Sequence, residues 1–196
     1  LDMMGEIGNI AMGAGSTTMS TLLRKKVNIT SPDASIIKFK DIKTKFSGQQ
    51  LVITINYKKG LEGLNTFVMP ARIAQIIADL MMGGNGDLPA EVQLDELGMS
   101  AAGEAMNQMM GSSATAMATM LGKMIDILPP EVHLVDDKEH FNVDIGVDNL
   151  NADVCLIAFQ LEVEGILQSE IMQVFTMDAV KEITEIMLAD QGEVLA

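Results

Sequence analysis

The chain has 196 residues, 48% of them hydrophobic, and 13 Lys/Arg against 27 Asp/Glu give a net charge of −14. That length suits one sizeable domain or two small ones, and the apolar content excludes a disordered chain. The acidic balance disfavours a phosphate backbone as partner, so no nucleic-acid binding is expected.

In chain order, the first stretch, "DMMGEIGNIAMGAGSTT" (residues 2–18), reads as a helix that carries Glu6 and Asn9 one turn apart. Positions i, i+4 and i+7 share a helix face, so Asp2, Glu6 and Asn9 form a polar stripe. The opposite side, Met3, Ile7, Ile10 and Ala14, is expected to bury against a sheet. "QQLVITINY" and "NTFVM" follow as strand-like runs rich in β-branched residues. "MPARIAQIIADLMMG" then has helical spacing, with Pro70 suited to its first position. The turn-rich segment 83–93, "GGNGDLPAEVQ", joins two halves.

The second half repeats the plan. A helix-like stretch around Ser100, Glu104 and Asn107 leads to the strand-like "NADVCLIAFQLEV" and "SEIMQVF", then to the amphipathic "TMDAVKEITEIMLAD". Sliding the sequence by 98 gives 12 identities across residues 2–32, where ordinary residue usage gives about two. They include Glu6/Glu104, Asn9/Asn107, Gly13/Gly111, Met19/Met117 and Pro32/Pro130. Close helix–sheet approach is the expected reason for Gly13 and Gly111. Two such halves, each marginal alone, predict one domain over residues 1–196 of α/β (α+β) type. Its repeats span about 1–90 and 96–190, arranged around a pseudo-twofold axis as a mostly antiparallel sheet with flanking helices. The chain opens at Leu1 without an initiator Met, so a piece of a longer protein is expected.

Charge is divided unevenly. Residues 1–98 hold 10 Lys/Arg and 10 Asp/Glu, while residues 99–196 hold 3 and 17. Water-facing polarity would account for one Glu/Asn stripe, but solvated residues drift in type between repeats and these do not.

Other chemistry is poorly represented. The Gly-rich "GAGSTT" and "GGNGD" lack the Gly-Lys-Ser/Thr of a phosphate loop. His133 and His140 have no cysteine nearby, so a zinc site is not expected, and "DNLNAD" lacks the Gly and Glu of a calcium loop. Cys155, the single cysteine, sits in the apolar run "VCLIAF" and reads as a buried thiol in a reducing compartment. Every long apolar stretch is interrupted by charged or amide residues, so no membrane insertion is expected.

The duplicated pattern has a known form. An acid or Ser, three residues, Glu, two residues, Asn, 22 residues and Pro occurs as Asp2-x3-Glu6-x2-Asn9-x22-Pro32 and again as Ser100-x3-Glu104-x2-Asn107-x22-Pro130. In this the chain resembles the CheC-like phosphatases of bacterial chemotaxis. The resemblance implies hydrolysis of the aspartyl phosphate of phosphorylated CheY at two surface helices. Asn9 and Asn107 would each hold a water, and Glu6 and Glu104 would pair with a Lys of CheY. Asp2, Ser100, Pro32 and Pro130 would be supporting positions. It implies no cofactor in this chain, Mg²⁺ in the CheY substrate, flagellar switch proteins as partners, and a cytoplasmic place at the motor. A CheD-binding adaptor and a non-catalytic switch scaffold are the alternatives. An acidic phosphorylated partner is expected to prefer the site in the uncharged half.

Overall fold

The computed structural model describes residues 1–30, 33–46, 48–60, 65–89, 93–136 and 149–195. The first half comprises α1 (Asp2–Leu23), β1 (Val27–Ile29), β2 (Asp33–Lys38), a 3-10 helix (Phe39–Thr44), β3 (Gln50–Ile55), β4 (Tyr57–Lys59), β5 (Asn65–Pro70) and α2 (Ala71–Met81). The second comprises α3 (Glu96–Leu121), β6 (Asp126–Ile127), β7 (Glu131–Val135), β8 (Asp153–Val163), β9 (Leu167–Thr176) and α4 (Met177–Leu195).

Among the described residues all strand pairs are antiparallel. Seven of the described strands form one sheet in the order β1-β8-β9-β5-β3-β7, with β2 also pairing with β8. β2 of the first half thus adds to β8 of the second, and β7 of the second adds to β3 of the first. The inner strands are buried on both faces, and all six residues of β3 are buried, Gln50 and Thr54 among them. Alternation divides their side chains. Leu51, Ile53, Phe67, Cys155, Ile157 and Phe159 face the helical layer, while Val52, Val68, Leu156 and Val174 face a smaller core closed by Phe39 and Ile42 of the 3-10 helix.

Two features locate the pseudo-twofold axis. Phe67 lies opposite Gln173 where β5 meets β9, and α2 and α4 begin 106 residues apart at Ala71 and Met177, which makes these two strand residues each other's counterparts. In the helical layer α1 crosses α3, where Ser113 Oγ donates to Ala11 O at 2.9 Å. Gly15 permits the approach: a Cβ there would lie 2.8 Å from Met109 Cγ and 3.2 Å from Ser113 Oγ. Ala11 matches Met109 and Gly15 matches Ser113 in the 98-residue register, so the crossing is its own copy. A buried polar chain stands near the axis: Gln173 Nε2 donates to Asn65 Oδ1 at 3.0 Å, and Asn65 Nδ2 donates to the Tyr57 hydroxyl at 3.1 Å. Burial pushes that hydroxyl's pKa up to about 12, against the opposing pull of the Asn65 bond.

Several expectations need correction. The buried face of α1 is Met4, Ile7, Gly8, Ala11, Met12, Gly15, Met19 and Leu23. Ile10 is 38% exposed, because it stands four residues beyond Glu6 and shares that residue's side. Met3 and Ala14, also expected inside, are only half-buried. Gly13 and Gly111 make no close approach, since a Cβ on either would meet nothing within 4 Å. The close contacts fall instead at Gly15 and at Gly103, whose Cβ would lie 3.2 Å from Val132 Cγ2. Pro70 ends β5 with extended angles (φ −56°, ψ 137°), and α2 starts one residue later than expected.

β2 lies along β8, so Lys38 reaches Asp153 at 2.7 Å, and the basic run that follows begins against the acidic half.

Candidate functional site

α3 shows how the fold presents its stripe. Asp95 caps the helix, accepting from Gly98 N at 2.7 Å, and Gly122 ends it in the left-handed region. Between them Met106, Met109, Met110, Ser113 and Met117 are buried, which turns Ser100 and Glu104 outward and leaves Asn107 partly exposed. β7 runs beneath the first half of this helix. Together they enclose a cleft of about 360 Å³ whose lining includes Ser100, Glu104, Asn107 and Pro130, with Pro129 and Val132 beside them. All four signature positions of the second copy therefore meet in one place. The spacing of 22 residues is explained by this geometry: it carries the chain to the end of α3 and back along β6 to the helix's own flank.

On α1, Asp2, Glu6 and Asn9 are likewise exposed. Pro32 lies outside the described residues. Gly5 meets nothing within 4 Å where its counterpart Gly103 meets Val132, since the residue matching Val132 is the smaller Ala34. The carboxylates also differ. Gln108 Nε2 donates to Glu104 Oε1 at 2.9 Å, whereas the matching residue on α1 is Ile10, and among the described residues the Glu6 carboxylate has no hydrogen bond. Pro129, Val132 and Gln108 are not singled out in the sequence, and Ile10 is assigned there to the buried face. The 98-residue alignment could have drawn attention to Ile10 and Gln108, as the neighbours of an identical pair that are not themselves identical.

A carboxylate and a carboxamide on one helical turn, open to solvent, can receive a cation and orient a water at the surface of another molecule. The segments that carry them, residues 1–36 and 97–134, match the CheC-like family. The chain is also 45% identical to the FliY of Thermotoga maritima in its crystal structure, with a TM-score of 0.86, over 94% of this chain and 93% of that one.

The chain belongs to the CheC-like family.

This CheC-like chain is 42% identical over 195 residues to the flagellar motor switch phosphatase FliY of Bacillus subtilis (strain 168), covering 98% of itself and 50% of that protein. It thus spans half that relative's length. It is 30% identical over 139 residues to the CheY-P phosphatase CheC of the same organism, covering 68% of itself and 66% of that protein. The FliM middle domain of H. pylori shares the fold, with a TM-score of 0.69 at 10% identity, over 93% of this chain and 95% of that one.

The remaining chemistry of the CheC-like chain lies elsewhere. Cys155 is fully buried, and burial pushes its thiol up, away from thiolate character. His133 is exposed on β7, and His140 lies outside the described residues. Among the described residues no group of three or more His, Cys, Asp or Glu is placed to hold a metal, and no helix is long and apolar enough to cross a membrane.

Proposed function

We propose that this chain hydrolyses the aspartyl phosphate of phosphorylated CheY, using Glu6 with Asn9 and Glu104 with Asn107 as two sites. One observation carries the reading. Identical residues of the two long helices divide into a buried set, Met12/Met110, Met19/Met117 and Leu23/Leu121, and an outward set that includes Glu6/Glu104 and Asn9/Asn107. The core accounts for the first set and gives no reason for the second. The names of two relatives, a flagellar motor switch phosphatase and a CheY-P phosphatase, support the same reaction.

CheY brings the acyl phosphate, its Mg²⁺ and a Lys. Glu6 or Glu104 pairs with that Lys and sets the register of docking. The carboxamide of Asn9 or Asn107 holds a water in line with phosphorus. The water oxygen bonds to phosphorus as the bond to the aspartyl oxygen breaks. The electron pair leaves with the CheY carboxylate, and both water hydrogens stay on the released phosphate. Positioning with charge stabilisation is adequate for phosphoryl transfer, so no covalent intermediate on this chain is required. The place of action is the flagellar switch, on its cytoplasmic side.

The test is CheY dephosphorylation by the parent, by Asn9→Ala, by Asn107→Ala and by the double variant. The double variant is expected to lose the catalysed rate by about 10²-fold or more while keeping its circular dichroism. Hydrolysis that survives both changes, or that never exceeds CheY's own rate in the parent, defeats the reading. A non-catalytic scaffold of the switch would then take its place, a role to which the shared fold of the FliM middle domain lends support.

A further inference from the structure

The position one turn beyond the Glu, residue 10 on α1 and 108 on α3, is where the two stripes part. Gln108 holds the Glu104 carboxylate at 2.9 Å, although both side chains are exposed. A carboxylate has about four acceptor sites, so one amide donor leaves room for an incoming ammonium. The bond therefore does not block Glu104. It narrows the orientations of a long flexible side chain whose ordering otherwise opposes docking. On α1 the same place holds Ile10, 38% exposed beside Asn9, and Glu6 has no such tether among the described residues. An exposed β-branched apolar residue next to a polar pair offers a rigid surface that gains from being covered.

Resting on the reading that these stripes dock phosphorylated CheY, we propose that position 10/108 determines affinity at each site by a different means. Gln108 is a positioning residue that acts through Glu104. Ile10 touches the docked regulator directly through an apolar contact. The Glu/Asn chemistry is thereby the same in the two sites, while the source of binding free energy differs.

Two single-site enzymes separate the sites, Asn107→Ala with only α1 active and Asn9→Ala with only α3 active. In the first, Ile10→Ala is expected to raise KM for phosphorylated CheY about threefold to tenfold at unchanged kcat, and Ile10→Val to restore most of the loss. In the second, Gln108→Ala is expected to raise KM about threefold at unchanged kcat, while Gln108→Ile, which installs the α1 solution, stays within about twofold of its parent. Melting temperatures serve as the folding control, and both residues are exposed enough to leave them unmoved. An unchanged KM for Ile10→Ala or Gln108→Ala, or a loss confined to kcat, overturns the proposal. A double Asn9→Ala, Asn107→Ala variant that retains full activity instead overturns the site assignment itself, so the two failures are told apart.

Discussion

The stripe on α1 and the stripe on α3 carry the same Glu and Asn in different settings. Beside the pair stands Ile10 or Gln108, and behind it Ala34 or Val132. At the end of the helix stands Arg24 or Gly122. The sheet edges differ in the same way. Where Lys38 forms an ion pair with Asp153 at 2.7 Å, the matching place in the other half has Gln49 Nε2 donating to Asp136 Oδ1. Supporting interactions have been exchanged for others of equal geometry, whereas the outward Glu and Asn have not. Their identity is therefore no by-product of identical surroundings.

The comparison breaks most severely at the joint that both halves share. Gly15 leaves no space for a side chain against Met109 and Ser113. Gly15→Val is expected to destabilise the protein by about 1–3 kcal/mol through overpacking, read as a lower urea midpoint. In the Asn9→Ala and Asn107→Ala backgrounds the loss should be the same, because the crossing belongs to neither half alone. An unshifted midpoint would mean that the helices part there without cost.

Gly13 and Gly111 test the reverse case. With open space around a Cβ at either, Gly13→Ala and Gly111→Ala are each expected to stabilise by about 0.5–1 kcal/mol, by the relief of glycine's entropic cost in a helix. Equal gains in the two variants would show the helices alike at this turn. A loss in either would show a neighbour that the Cβ geometry does not contain.

Much of this was legible in the sequence, and what was not has a common cause. Internal identity exposed the repeat and both stripes, and helical spacing marked the four α-helices, since helical periodicity is local. The strand runs that became β3, β5, β8 and β9 were legible for the same reason. The exchange of β2 and β7 between halves was not, because a pairing such as Ile36 with Cys155 joins residues far apart in the chain and leaves no local trace. Gly13 and Gly111 invited a packing explanation that belongs to Gly15, two residues on, where the repeat has Ser113 instead of a second glycine. Repeat identity marks that a residue is held, and only the fold says whether the core holds it.

The helix ends sharpen the comparison at its smallest scale. Arg24 closes α1 at φ 55°, ψ 35°, and Gly122 closes α3 at φ 63°, ψ 26°, so one left-handed conformation is occupied by two very different residues. A Cβ there costs about 1 kcal/mol, which glycine avoids. Gly122→Ala is accordingly expected to destabilise by about 1 kcal/mol. Arg24→Gly removes a similar strain but adds conformational freedom to the unfolded chain, a term of about 0.4–1 kcal/mol of opposite sign. Its net effect should stay within about 0.5 kcal/mol of zero. Denaturant titrations of the two variants in parallel decide the matter. If Gly122→Ala proves as neutral as Arg24→Gly, α3 has a second way to end, and the matched angles conceal a difference in stiffness between the two helices.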